Sequence, residues 1–540
     1  MTNSTPPVGR ASGAGALFSD ARSCKEWLNA LPLTNIPQAQ QLVLDALRVV
    51  NRAGDFEGLE RLKCMELMRD KIAFLQGEQR SRYFGKTLPL SPNDSAAWGT
   101  GRMLLEEMEN GYRQCLTVAE VEQGELARHA ALMTQRVMRY IGAQMIFHAI
   151  VYRRFEPALW GRLHQLYGQA ERAGVTEERV KDSLEGEEGV STVAEAYSHI
   201  VLTQAAYLSE MTAPQMDFAE ALLRMWIRKV RVLKDPPGSA DGIAFPLAVD
   251  LAKQIGARPL ATDDVRPNHR ILDVEQLSKS IRRRIRGLQN DEEPVSLGLP
   301  AEASALDALH QLSRLHKLWC EGAPPRPPAK VPGETTAGLA FGVNEIHFFT
   351  TGGKLFEQPD KNRELTRQEK NDIAMFGRVT ERTQTMMMGE LNFTVEQWGV
   401  IDEMLGAWRL LRPPTASKGV AIGRLIAMRL GDSAPFYLGE VSALVQETDG
   451  RVVITVTLFP GRPEPIAVRA GDARNRANAQ WTQAFRLPPL EKLHIPASMV
   501  VPGGMAIRGR GIEIWAEGVK ETTVYEVLSH GTDFDRFTTL

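Results

Sequence analysis

The hydrophobic period of this chain changes once, and the change limits what each half can fold into. From about Ser19 to Asp235, apolar residues recur every three to four positions, the spacing that lines one face of an α-helix. From about Trp398 onward, apolar and polar residues alternate, as they do along a strand with one covered face. The pattern predicts a multidomain α + β protein: an all-helical N-terminal half (a bundle or an array of helix hairpins) and a small antiparallel β-barrel or sandwich at the C-terminal end.

The helical half is well punctuated. In NIPQAQQLVLDALRVVNRAG, Ala39, Leu42, Val43, Ala46, Leu47 and Val50 fall on one face. Asn35 is placed to cap that helix, Pro37 suits its first turn and Gly54 its end. The same face pattern returns over Val118–Tyr152, Trp160–Ala173, Val193–Leu208 and Phe218–Leu233. The stretch LWGRLHQLYGQAERAG resembles one half of a tetratricopeptide repeat, with Trp160, Leu163, Tyr167 and Ala170 at the repeat's packing positions, although no second copy follows about 34 residues on.

Breaks in composition divide the chain. Residues 1–18 read as a disordered tail and 19–235 as the helical domain, while 236–335 is a mixed region ending in the proline-rich linker GAPPRPPAKVPGE. Residues 336–394 read as a connecting segment and 395–540 as a barrel with a C-terminal β extension. Within the last region WGVID, AWRLLR, AIGRLIAMRL, FYLGEVSALVQ, RVVITVTLF and EPIAVR read as short strands, and Asp449–Gly450 in ETDGRV marks a hairpin turn.

Charge is balanced, 64 Lys+Arg against 66 Asp+Glu, which argues against a whole-chain polyanion binder. The helix SKSIRRRIRGL carries Lys279, Arg282, Arg283, Arg284 and Arg286 around a Leu277–Ile281–Ile285–Leu288 stripe. Acids in NDEEP follow it and no aromatics are interleaved to stack bases, so nucleic acid is not expected as a partner. There is no apolar run of membrane-spanning length and no secretory start, so a cytoplasmic location is expected. Cys24, Cys64, Cys115 and Cys320 are scattered and read as buried thiols rather than metal ligands or disulfides.

No hydrolase, metalloprotease, phosphate-loop or dinucleotide motif is present, and the expectation is a non-enzymatic protein without metal or cofactor. Glu220-Ala221-Leu222 spells a phosphodiesterase signature, but inside an amphipathic helix rather than on a barrel strand. His347 sits among apolar residues and reads as a core histidine. Arg508–Gly511, the RGRG turn, is an anion-site candidate only if the chain is an enzyme of another kind.

Two stretches remain. RVTER places Arg378 and Arg382 four apart, and VIDEMLGAWRLLRP places Asp402 at the end of an apolar run. Guanidinium forks grip the adjacent O6 and N7 acceptors of guanine, and a carboxylate accepts from its N1 and N2 protons. This arrangement resembles the PilZ domain, a cyclic di-GMP receptor whose pattern is RxxxR followed by [DN]xSxxG at the opening of a barrel. The resemblance covers about residues 375–475. It implies a PilZ-like barrel, cyclic di-GMP as ligand, and Arg378, Arg382 and Asp402 as the residues that hold it. Met404 stands where the pattern has serine and Ala407 where it has glycine, with Gly406 one position early. Each lost polar contact would cost about 1–3 kcal/mol of binding. Two functions are therefore expected as alternatives: a cyclic di-GMP-responsive effector, or a structural adaptor whose barrel binds no nucleotide. The partner of the helical half is not legible.

Overall fold

The computed structural model describes residues 17–53, 56–122, 124–184, 189–235, 246–260, 264–322, 329–330, 335–359, 367, 371, 374–375, 391, 393–404, 406–431, 435–471, 480–515 and 518–539. The chain divides into two compact units, one drawn from residues 1–325 and the other from 326–540, with 87–89 and 209–212 belonging to the second.

The first unit is mainly helical. Its elements are α1 (Ala21–Asn29), α2 (Ile36–Arg52), α3 (Gly58–Gln79), α4 (Pro92–Glu122), α5 (Ala130–Ala149), α6 (Ala158–Ala173), α7 (Val193–Ala205) and α8 (Ala213–Trp226). α2 starts as its sequence dictates: the Asn35 side chain accepts from the Gln38 amide, and a proline lies in the first turn. Gly54 lies outside the described residues. α4 packs on α2, α3 and α5, and α5 packs in turn on α6 and α7. This is an irregular bundle around two long helices. Trp160, Leu163, Tyr167 and Ala170 of α6 are buried, as the repeat-like spacing requires. Small residues set the closest approaches, since a Cβ on Gly142 of α5 would collide with Ile200 of α7.

Two small sheets complete this unit. β1 (Val180–Lys181) and β2 (Val190–Ser191) form a ribbon between α6 and α7. β3 (Arg231–Leu233), β4 (Leu247–Asp250), β5 (Arg258–Pro259) and β6 (His269–Asp273) pair in the order β3-β6-β4-β5. Because β3 pairs with β6, one sheet runs across the expected division at residue 235. α9 (Glu275–Gln289) is the basic helix, burying Leu277, Ile281 and Leu288. It packs on α10 (Ala305–His316). Its cations are partly engaged: Lys279 pairs with Glu275 at 2.5 Å, and Arg284 donates to the Leu297 carbonyl at 2.9 Å and lies over the Trp226 ring. All four cysteines are buried free thiols.

The second unit holds two antiparallel barrels. β7 (Ala329–Lys330), β8 (Thr336–Phe341), β9 (Glu396–Met404), β10 (Ala407–Leu411), β11 (Leu425–Leu430), β12 (Tyr437–Gln446) and β13 (Val452–Leu458) form a sheet ordered β10-β13-β12-β11-β8-β9-β7. The additional β10–β9 pairing closes six of these strands into a ring, with β7 appended on β9. Gly450 takes a φ of 87° in the β12–β13 hairpin, as the Asp-Gly turn requires. α11 (Val343–Thr350) follows β8 directly.

The C-terminal β extension is itself a barrel. β14 (Glu464–Ala470), β15 (Thr482–Leu487), β16 (Ser498–Pro502), β17 (Gly511–Trp515), β18 (Val519–His530) and β19 (Phe534–Thr539) close in the order β14-β15-β16-β19-β18-β17. One apolar cluster joins both barrels and α11, drawing on Ala340, Ile346, Leu425, Leu438, Phe485 and Phe534 among others. Thr336–Phe341, read from the sequence as part of a connector, is thus a strand of the first barrel.

Close packing in this sheet makes a testable demand. A Cβ at Gly439 of β12 would lie 2.5 Å from the Thr457 carbonyl oxygen, which is backbone and cannot rotate away. Gly439→Ala is expected to cost about 1–3 kcal/mol. A midpoint of denaturant unfolding equal to that of the parent chain would show that the β12–β13 pair is looser than described.

Candidate functional site

Asp402 owes its position to an irregularity. β9 and β10 meet at a two-residue turn in which Gly406 takes a φ of 74°, a left-handed conformation that disfavours any side chain. From that turn Met404 faces Ala407, Glu403 faces Trp408 and Asp402 faces Arg409, but the next pair is Val400 with Leu410. Ile401 is the extra residue, a β-bulge. Directly opposed residues share a face of a sheet. Leu410 is fully buried, and Arg409, its neighbour, stands on the opposite face. The bulge therefore turns Asp402 away from the face of Val400 and Leu410, where strict alternation would put it.

On that face the carboxylate is covered and only half used. Asp402 is 7% exposed. Its Oδ2 lies 3.1 Å from Arg409 Nη2. Among the described residues its Oδ1, buried, has no hydrogen-bond partner, and the same holds for Arg409 Nε. The strand carrying it is pinned at its other end. Glu396 accepts from the Ser417 and Lys418 amides at 2.7 and 2.8 Å and from Trp398 Nε1 at 3.1 Å. Lys418 Nζ then reaches Glu345 Oε2 on α11 at 2.8 Å.

Arg378 and Arg382 lie outside the described residues. They fall in the chain between α11 and β9, inside the connectivity of the first barrel rather than ahead of it. The structure thus positions Asp402 and leaves the arginine pair unplaced. Reading the sequence missed Arg409, although Gly406 marks a tight turn and counting outward from it would have put Arg409 opposite Asp402.

The other candidates resolve simply. His347 is buried on α11 between Phe356 and Phe485, and burial pushes its imidazole down to about 4, so it is neutral near pH 7. Glu220 lies in α8 and pairs with Arg224 at 2.8 Å and His199 at 3.3 Å. Arg510 of the RGRG turn donates to the Gly504 and Met505 carbonyls at 3.3 and 3.4 Å. Among the described residues no group of three His, Cys, Asp or Glu side chains could hold a metal ion. No helix among them is long and apolar enough to cross a membrane.

Comparison with known proteins adds a relationship that starts in the other unit. Residues 22–237 match the family described as "Cyclic-di-GMP receptor FimW, N-terminal domain". The curated protein named cyclic-di-GMP receptor FimW, from Pseudomonas aeruginosa, is 24% identical over 347 residues, 63% of this chain. The match spans 55% of that relative, so the chain covers about half its length. The helical unit, which showed no chemistry in its sequence, is the part that carries the family match.

Proposed function

We propose that this chain is a non-enzymatic regulatory protein that binds cyclic di-GMP at the first barrel, held by Arg378, Arg382 and Asp402. The observation that carries the reading is Asp402: a covered carboxylate with one oxygen unpartnered among the described residues, on the strand that the two arginines precede. A guanine edge offers the two N–H donors that such an oxygen lacks. The similarity to a protein named as a cyclic-di-GMP receptor supports the ligand class.

Asp402 would supply base preference. Asp402→Asn is expected to weaken cyclic di-GMP binding ten- to a hundredfold, about 1–3 kcal/mol, and to narrow the preference over cyclic di-AMP. Calorimetric titration of both nucleotides into the intact chain reads this. Undiminished binding and selectivity in the variant would remove Asp402 from the site.

The second reading, an adaptor whose barrel binds no nucleotide, is favoured by one contact. Arg409 already occupies Asp402 Oδ2, and a pair formed within the sheet needs no ligand. Met404 in place of a hydroxyl-bearing residue points the same way.

A further inference from the structure

A cavity of about 330 Å³ opens in the helical unit between α3, α4, α5, α7 and α8. That volume lies at the lower end of the range for small-molecule sites, roughly 300–1,000 Å³. Its wall is mainly apolar, with Leu105 of α4, Ile146 and Phe147 of α5, and Met216, Ala219 and Leu223 of α8. Two features of the remaining wall select a ligand.

The first is a lone hydroxyl among matched polar groups. Arg80 pairs with Asp217 at 2.6 Å and lies over the Phe84 ring. Glu220 pairs with Arg224 at 2.8 Å and with His199 at 3.3 Å. Gln76 Nε2 donates to the Gly101 carbonyl at 3.0 Å, and Thr203 Oγ1 donates to the His199 carbonyl at 2.8 Å. Tyr83 is the exception. It is 2% exposed and its ring packs edge-on against Phe147, yet among the described residues its hydroxyl has no hydrogen-bond partner. Burial pushes the phenol up to about 12, which keeps it an O–H donor. A hydroxyl held mostly out of water gains from an acceptor, and a ligand carbonyl would supply one.

The second feature is a glycine. Gly77 of α3 lines the cavity, and a Cβ there would meet nothing within 4 Å. It sits inside a regular helix, so neither close packing nor a left-handed φ calls for glycine. Glycine in a helix is destabilising relative to alanine. What the missing side chain provides here is an open wall. Phe74, one turn earlier on the same face, is exposed and makes this rim apolar.

We propose that this cavity binds a small neutral molecule, a carbonyl compound with an apolar body of medium chain length. Its carbonyl oxygen accepts from the Tyr83 hydroxyl, and its body lies along Leu105, Ile146 and Leu223, entering past Gly77. The charges in the wall are already paired, so a charged head group would lose hydration without gaining a partner. The site belongs to the helical unit and does not depend on the nucleotide reading.

The test is calorimetric titration of hexyl methyl ketone, octanoate and octylammonium into the intact chain near neutral pH. The ketone is expected to bind at least tenfold tighter than either ion. Equal or tighter binding of octanoate or octylammonium would overturn the neutral assignment, and an absence of ketone binding at millimolar concentration would overturn the proposal outright. Gly77→Leu, which puts a side chain into the open wall and suits a helix, should weaken ketone binding at least tenfold. Tyr83→Phe, which removes only the hydroxyl, should weaken it about three- to tenfold without lowering the thermal midpoint. Undiminished binding by Gly77→Leu would place the ligand elsewhere, and undiminished binding by Tyr83→Phe would remove the carbonyl contact. Either result refutes the assignment.

Discussion

Asp182→Ala is expected to destabilise the helical unit by about 3–5 kcal/mol, the usual effect of stripping one partner from a buried ion pair. Asp182 is 1% exposed and sits in the loop after β1. Its Oδ1 takes Arg69 Nη2 at 2.5 Å, and its Oδ2 takes Gln135 Nε2 at 2.8 Å and Arg136 Nη1 at 3.1 Å. Arg136 keeps Glu66 at 2.8 Å after the substitution, whereas Arg69 keeps only a 3.9 Å approach to the same acid. The cost therefore falls on Arg69. Thermal unfolding followed by the helical signal should show a midpoint lower by roughly 6–15 °C. A loss under about 1 kcal/mol would mean that water or a rearranged side chain replaces the carboxylate.

The same residue makes the unit acid-sensitive in a definite direction. Burial pushes the Asp182 carboxyl up, but the Arg136 and Arg69 guanidiniums, with the hydrogen bonds from Arg69 and Gln135, outweigh it and hold the group down at about 2. The folded value lies below the ordinary 3.8. The stabilisation is therefore fully present above the unfolded value and is lost as pH falls through the folded one. It amounts to about 2 kcal/mol. Stability measured between about pH 5 and pH 2 should fall more steeply in the parent chain than in Asp182→Ala.

The Arg378→Ala/Arg382→Ala double variant is expected to lose cyclic di-GMP binding by a hundredfold or more, about 3 kcal/mol. The two guanidinium forks are suited to both guanine acceptors and phosphate oxygens, whereas Arg409 is already engaged by Asp402. Asp402 alone cannot substitute, since it offers acceptors and would repel phosphate. The double variant should retain the parent's unfolding midpoint, which separates lost binding from lost structure. Binding within threefold of the parent would dissociate the arginine motif from the site.

How much of this was legible depended on distance along the chain. The α2 cap and the Asp449–Gly450 hairpin are local, and their residues announce them. The register that sets Arg409 against Asp402 follows from a two-residue turn and could have been counted; the Ile401 bulge, which decides the face, leaves no residue signature. β8 was hidden for a different reason. Ala337–Phe341 is buried throughout, so TAGLAF shows no alternation of polar and apolar residues. Closure of the second barrel rests on β14 pairing with β17, more than forty residues on, which no local pattern encodes. The Arg69–Asp182 pair joins residues 113 apart and is equally invisible in sequence.

The most direct test of the account is a calorimetric titration of cyclic di-GMP into the intact, unmodified chain. Saturable binding at micromolar concentration or tighter is the predicted result, and it would establish that a barrel with Met404 and Ala407 still reads the nucleotide. An absence of binding at millimolar ligand would contradict the account and leave Asp402 and Arg409 as an internal pair of an adaptor barrel.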